Sequence, residues 1–242
     1  MQDISSMQNI HFPNRYKRNP PTISLEEQDQ LAQATVAVIG CGGLGGYIIE
    51  ELTRLGVGHL IIIDGDSHEE TNLNRQLTAT EKTLGSPKVL AAQEHLALVN
   101  SNTQIEVHQE YLTSENADEL LAGAQLVMDA LDSVAARLEL ERACKKLNLP
   151  LILSAIEGWY GMLGVNFPGD DHVSLLYGGI PDNPDKIVSC PAFTPAVVAS
   201  LAVAESVKVL LNKPLSLRNS WLQIDLLHME FNQFTFPEDE TD

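Results

Sequence analysis

The chain has 242 residues, 44% of them hydrophobic and 20% charged, which suffices for one large α/β domain with a sizeable core and does not require two. Fifteen Lys and Arg stand against 33 Asp and Glu, and the net charge of −18 repels nucleic acid and anionic membrane, so neither is expected as a partner. No secretory leader opens the chain, no apolar run reads as a membrane span, and three scattered cysteines make no disulfide framework; a soluble, cytoplasmic protein is expected.

In chain order, residues 1–21 read as a basic N-terminal arm, with Arg15, Lys17 and Arg18 before a double proline, and charge alone makes that arm a floppy one. Residues 22–236 read as a single nucleotide-binding domain, and 237–242 as an acidic, solvated tail. Ser24, with Glu27 three residues on, predicts a capping box and a first short helix. The runs "TVAVIG", "HLIIID", "QIEVH", "QLVMDAL" and "PLILSA" then recur with helical stretches between them, which predicts a mostly parallel, Rossmann-like sheet with helices on both faces. Ser86-Pro87 predicts a helix start with Ser as N-cap, and Gly123 a helix stop.

Beyond Ser154 the rhythm changes to a C-terminal antiparallel extension. "GWYGMLGVNF" and "HVSLLYG" read as short strands, and "GGIPDNPDKIVSCPAF" as a turn-rich connection suited to a functional loop. The helix "TPAVVASLAVAESVKVLL" and the strands "SWLQIDLL" and "HMEFNQFTF" complete the pattern.

Gly40, Gly42 and Gly45 fill the glycine places of G-x-G-x-x-G between a strand and a helix. There the first glycine makes the tight turn, the second lets backbone approach a phosphate, and the third lets helix and strand pack closely. Asp64 ends the next strand, where a carboxylate accepts hydrogen bonds from ribose hydroxyls. A nicotinamide dehydrogenase shares these features. Asn72, Arg75 and Gln76 in "NLNRQ", and Lys88 in the first turn of the following helix, are donors that a triphosphate needs and a dinucleotide does not. "MDALDS" brings Asp129 and Asp132 to a strand's ligand-binding end; Asp129 reads as structural, and Asp132 as the ligand for Mg²⁺, with Ser133 as the N-cap behind it.

"GCGGLG", Asp64, "NLNRQ", Lys88 and Asp132, in this order, resemble the HesA/MoeB/ThiF family, bacterial relatives of the ubiquitin-activating enzymes, over about residues 15–235. The resemblance implies an adenylyltransferase that uses ATP and Mg²⁺ to adenylate the C-terminal glycine of a ubiquitin-like sulfur-carrier protein ending in Gly-Gly, in sulfur transfer for molybdopterin or thiamine synthesis. It implies that Asp64 holds the ribose, that Asn72, Arg75, Gln76 and Lys88 contact the phosphates, and that Asp132 binds the metal. "RYKRN" is similar to the family's "RYxRQ" element, so Arg18 inherits contact with the triphosphate of the other subunit and a homodimer is implied, which reverses the reading of the arm as floppy. A sulfurtransferase is a further implied partner.

The chain departs from the pattern in three places. It has no C-x-x-C pair, so the structural zinc of many members is not expected. Ser133 stands where relatives carry Asn. Cys190 lies where some branches join the carrier covalently, and the helix beginning nearby would lower its thiol pKa, although free cysteines are more often packing residues. Cys41, Cys144 and the pair Trp159-Tyr160 read as core. An NAD-dependent oxidoreductase and a non-catalytic nucleotide- or carrier-binding scaffold are the competing readings; the first has no use for Arg75 and Lys88.

Overall fold

The computed structural model describes residues 13–181 and 188–237; the start of the arm (1–12), part of the turn-rich connection (182–187) and the acidic tail from residue 238 lie outside the described residues. The strands are β1 (Thr35–Ile39), β2 (His59–Ile63), β3 (Gln104–His108), β4 (Leu126–Asp129), β5 (Leu151–Glu157), β6 (Tyr160–Asn166), β7 (Ser220–Asp225) and β8 (Glu230–Thr235). They form one sheet in the order β3-β2-β1-β4-β5-β6-β7-β8. The first five pair in parallel, and β6, β7 and β8 add antiparallel.

The helices are α1 (Leu25–Gln33), α2 (Gly43–Leu55), α3 (Lys88–Val99), α4 (Ala117–Leu120), α5 (Val134–Leu147), α6 (His172–Tyr177) and α7 (Phe193–Leu210). Alternation along β1 decides the layering: Val36 and Val38 face a core shared with α2, α3 and α7, while Ala37 and Ile39 face a second core shared with α4 and α5. The expected capping box is present, with Ser24 Oγ accepting from Glu27 N at 3.1 Å and Glu27 Oε2 from Ser24 N at 2.9 Å. Gly123 takes the left-handed conformation (φ 81°) just after α4.

Four expectations change. "HVSLLY" is the helix α6 and not a strand, because the buried carboxylate of Glu141 accepts from Val173 N at 2.8 Å and Ser174 N at 3.0 Å, satisfying that helix's first donors from α5. Pro87, not Ser86, is the N-cap of α3, with Lys88 the first helical residue. Trp159 and Tyr160 are exposed at 43% and 45% and are not core, because they fall in and just after the tight β5–β6 turn, where the Trp159 ring meets Phe193 at the start of α7. Finally, the 18 residues of α7, with a mean hydropathy of 1.5, do meet the length and composition of a membrane span. In the fold, however, α7 packs Val198, Ala199, Ala202 and Val203 into the core and buries Glu205.

The described part of the arm is docked. Tyr16 is buried beneath Gly56, the left-handed C-cap of α2, and its hydroxyl accepts from Asn100 Nδ2 at 2.9 Å. A Cβ at Gly56 would lie 2.5 Å from Tyr16 Cζ, so glycine there serves both the backbone turn and the arm. Asn19 donates to Gln28 Oε1 at 2.9 Å, and Gln28 in turn donates to Leu55 O at 2.7 Å.

Candidate functional site

The three glycines owe their identity to different neighbours. Gly40 has φ 99°, and a Cβ there would lie 2.5 Å from Ala130 O; a Cβ at Gly45 would overlap the carbonyl of Gly40. Both are therefore demanded by the approach of α2 to β1 and to the β4–α5 loop. A Cβ at Gly42 would meet nothing closer than Gln76 Nε2 at 3.5 Å, an ordinary contact. The protein's own packing does not require that glycine, and its smallness leaves room over the start of α2. No side chain caps α2 and no acidic residue lies in its first turn, so its N-terminal dipole is open to an anion.

Asp64 stands at the end of β2 with its carboxylate fixed, Oδ2 accepting from Cys41 N at 2.7 Å and Oδ1 from Asp66 N at 2.8 Å. This ties the ribose candidate to the glycine turn itself. Arg75 and Gln76 come from the polar loop after the 3-10 turn Glu70–Asn72, and both lie over the glycine turn. Arg75 is the nearest side chain but one to a Cβ built on Gly43, at 3.7 Å, and Gln76 is the nearest to one built on Gly42. The Arg75 guanidinium donates to Thr71 O and Asn74 Oδ1, each at 2.9 Å, while Gln76 Oε1 is buried and, among the described residues, has no hydrogen-bond partner. Asn72 is buried and closes its loop, its Oδ1 accepting from Glu69 N at 3.0 Å, which leaves the amide nitrogen as its remaining useful group.

Lys88, 7% exposed, opens α3 with its ammonium 2.7 Å from Asp66 Oδ2 and 3.9 Å from Asp64 Oδ2. Asp132 is exposed on the β4–α5 loop, and Ser133 behind it caps α5 by accepting from Ala136 N at 3.2 Å. Asp129 is structural: fully buried, it pairs with Arg137 at 2.5 Å and accepts from Leu131 N at 2.9 Å. Burial nevertheless pushes its carboxyl up against the pull of Arg137. Among the described residues no three His, Cys, Asp or Glu side chains gather as a metal site. A Mg²⁺ ion would therefore rest on Asp132 and on a ligand's own oxygens, the usual arrangement for that ion on a nucleotide.

Cys190 sits beside this cluster, its carbonyl accepting from Asn74 Nδ2 at 3.1 Å. Burial pushes its thiol up, and the charge of Arg75 opposes that without cancelling it, so the expected lowering is not found. Helix α7 begins only at Phe193, with no side-chain cap. Cys41 and Cys144 are buried packing residues. Arg18 is absent from the cluster. It is exposed between the anchored Tyr16 and Asn19 at the far end of α2, a helix of 13 residues and so about 20 Å from the glycine turn.

Three residues of this region carry no sequence motif of their own. Asp66 follows Asp64 by two places in "DGD". Tyr111 lies just past the ligand-binding end of β3 and bonds Asp66 through its phenol. Arg137 pins the β4–α5 loop by donating to Asp129 and to the carbonyls of Leu131 and Ser154. An aromatic residue just beyond a parallel strand is the one signal that would have flagged Tyr111.

Comparison with known proteins agrees with this geometry. The ThiF family model matches residues 16–242. A sulfur carrier protein adenylyltransferase of Thermus thermophilus is 34% identical over 239 residues, covering 92% of this chain and 86% of that protein. Protein HesA of a Nostoc species is 32% identical over 212 residues, covering 87% and 84%. Among solved structures, Escherichia coli MccB, crystallised with MccA-N7isoASN, superposes with a TM-score of 0.81 at 22% identity, covering 95% of this chain and 74% of that one, which shows a shared fold. With the glycine turn, Asp64 and the polar loop in place along one sheet edge, the match over nearly the whole length establishes that the chain belongs to the ThiF family and is an enzyme of the adenylyltransferase class.

Proposed function

We propose that the protein uses ATP to adenylate the C-terminal glycine carboxylate of a small ubiquitin-like sulfur carrier, in sulfur transfer serving molybdopterin or thiamine synthesis. The observation that carries this reading is the placement of Arg75 and Gln76 over the glycine turn, with Lys88 at its rim, a set of donors suited to a triphosphate. The relatedness to a sulfur carrier protein adenylyltransferase supports the carrier as substrate.

In this reading Gly42 and the start of α2 receive phosphate, Asp64 binds the ribose, and Arg75, Lys88, Gln76 and the amide nitrogen of Asn72 hold the phosphate chain. Asp132 holds Mg²⁺, which when bound neutralises phosphate charge. The carrier carboxylate is ionised at neutral pH and needs no general base. One of its oxygens forms a bond to the α-phosphorus as the bond to the β-phosphate bridging oxygen breaks, and pyrophosphate departs with that electron pair. Catalysis is then placement and charge neutralisation. Arg18 completes the site of a second copy in a homodimer, since it is held too far from the glycine turn of its own chain.

The test is ATP–pyrophosphate exchange with Mg²⁺ and a panel of carriers ending in a free Gly-Gly, beside the same carriers lacking that tail. Exchange dependent on one carrier and its tail is expected, and it names the pathway. No exchange with any carrier, together with NAD reduction by a metabolite, would overturn the reading in favour of a dehydrogenase.

A further inference from the structure

Lys88 is in an electrostatically awkward place. It is the first residue of α3, whose N-terminus carries partial positive charge, and that helix has neither an acidic residue in its first turn nor a side-chain cap. A nearly buried ammonium there needs a fixed counter-charge. Asp64 is 3.9 Å away and already accepts from two backbone amides, so the carboxylate in direct contact is Asp66, at 2.7 Å.

Asp66 is itself half-exposed on a loop and must be held in turn. Its backbone is zipped to the start of α3, with its carbonyl accepting from Lys88 N at 2.9 Å and Ser67 bridged to Pro87. Its side chain has one donor for each oxygen: Lys88 on Oδ2 and the phenol of Tyr111 on Oδ1. Tyr111 is 66% exposed and, among the described residues, joins none of the hydrophobic clusters, so packing does not account for it. Its ring lies across Gly65, where a Cβ would sit 2.8 Å from Cε2 and Cζ. Gly65 has no left-handed φ to require glycine; what a Cβ there would do is displace the ring of Tyr111 from this seat.

We infer that Tyr111 is a positioning residue for nucleotide binding: its phenol fixes Asp66, and Asp66 fixes the ammonium of Lys88 at the rim of the glycine turn. The inference rests on the proposed use of ATP. The electrostatics agree with it. Burial pushes Asp66 up, but the hydrogen bonds from Lys88 and Tyr111 outweigh burial and hold it below the usual carboxylate range, while the bond to Asp66 and its charge push the Tyr111 phenol up. The ammonium has three donors, so Lys88 keeps one on Asp66 Oδ2 and turns the others toward phosphate oxygens, while Tyr111 holds Asp66 through Oδ1.

The experiment is calorimetric titration of the full chain with ATP and Mg²⁺, without carrier, for the unaltered protein and for Tyr111→Phe, Tyr111→Ala, Lys88→Met and Tyr111→Phe with Lys88→Met. Tyr111→Phe keeps the ring and removes only the donor; it is expected to weaken ATP binding on the order of fivefold, as Tyr111→Ala also does. Lys88→Met is expected to weaken binding further, and Tyr111→Phe to add nothing in that background, because the two act through one contact. Normal binding by Tyr111→Phe, or an equal loss with and without Lys88, overturns the inference while leaving ATP use intact. Failure of the unaltered protein to bind ATP overturns the proposed function, and this inference with it.

Discussion

Cys190 is partly open to solvent, whereas Cys41 and Cys144 are buried. Burial pushes the Cys144 thiol up to about 12 and the Cys41 thiol higher still, with the charge of Asp64 adding to the effect at Cys41. Alkylation of the folded protein with iodoacetamide is therefore expected to modify Cys190 alone, slowly at neutral pH and faster as pH rises past the ordinary thiol range. Arg75→Ala, which removes the charge that draws that thiol down, is expected to slow the reaction; mass spectrometry of the labelled peptide reads both effects. The glycine turn gives a second residue-scale contrast. Gly45→Ala drives a methyl group into the carbonyl of Gly40 and is expected to cost about 1–3 kcal/mol in urea unfolding. Gly42→Ala meets only Gln76 at ordinary contact distance, so it is expected to cost much less stability and to lose nucleotide binding instead. The two glycines look alike in the motif, and only the neighbours that fold around them separate a packing requirement from a binding one.

Helix α6 belongs to the scale of elements, because its six residues have too little intrinsic helicity to stand alone. Its start is satisfied by Glu141, buried on the inner face of α5 with Arg137, Leu140 and Cys144. Glu141→Ala would strand two backbone donors at α6; a loss of about 2–4 kcal/mol is expected in urea unfolding, with faster hydrogen exchange across 173–177. The loop before α6 is tied by Asp170, which accepts from Phe167 N at 2.8 Å and pairs with Arg218 at the approach to β7. Burial pushes Asp170 up, but the Arg218 and Phe167 bonds outweigh it and hold the carboxyl below its ordinary value of 3.8. A folded pKa below the unfolded one means that this stability is present above about pH 4 and is lost as pH falls through the lowered folded value. Asp170→Asn is accordingly expected to cost about 1 kcal/mol at pH 6, since Arg218 is partly solvated, and the gap from the unaltered protein is expected to close as pH falls through the lowered folded value.

At the scale of the whole molecule, two ends of α2 divide the proposed chemistry. The glycine turn, Asp64 and Lys88 gather at its N-terminus, while the arm is anchored at its C-terminus through Tyr16 and Asn19. An arginine side chain cannot bridge about 20 Å, so Arg18 does not reach the glycine turn of its own chain, and under the proposed function it serves a second one. Sedimentation is expected to show a dimer. Arg18→Ala and Asp132→Ala homodimers are each expected to lose most pyrophosphate exchange, and mixing the two chains is expected to restore part of it, because one of the two sites in a mixed dimer is intact. Absence of any rescue would argue against a site shared between two chains.

The order of strands and helices, the capping box at Ser24 and the nucleotide turn are local patterns of hydrophobic period, turn chemistry and glycine spacing, and for that reason the sequence by itself determined the parallel sheet, its antiparallel extension and the family. The residues of "NLNRQ" are legible in the same way, since they sit in one loop. What lay beyond such reading depended on partners distant in the chain. "HVSLLY" is a helix because of a carboxylate 32 residues earlier, Trp159 and Tyr160 are exposed because they lie at the tight β5–β6 turn, and the thiol of Cys190 is raised because burial outweighs the charge of Arg75. Tyr111 and Asp66, 45 residues apart, meet only when β2 and β3 pair in register. Tertiary structure alone decided these, because desolvation and hydrogen bonding act through space and take no account of distance along the chain.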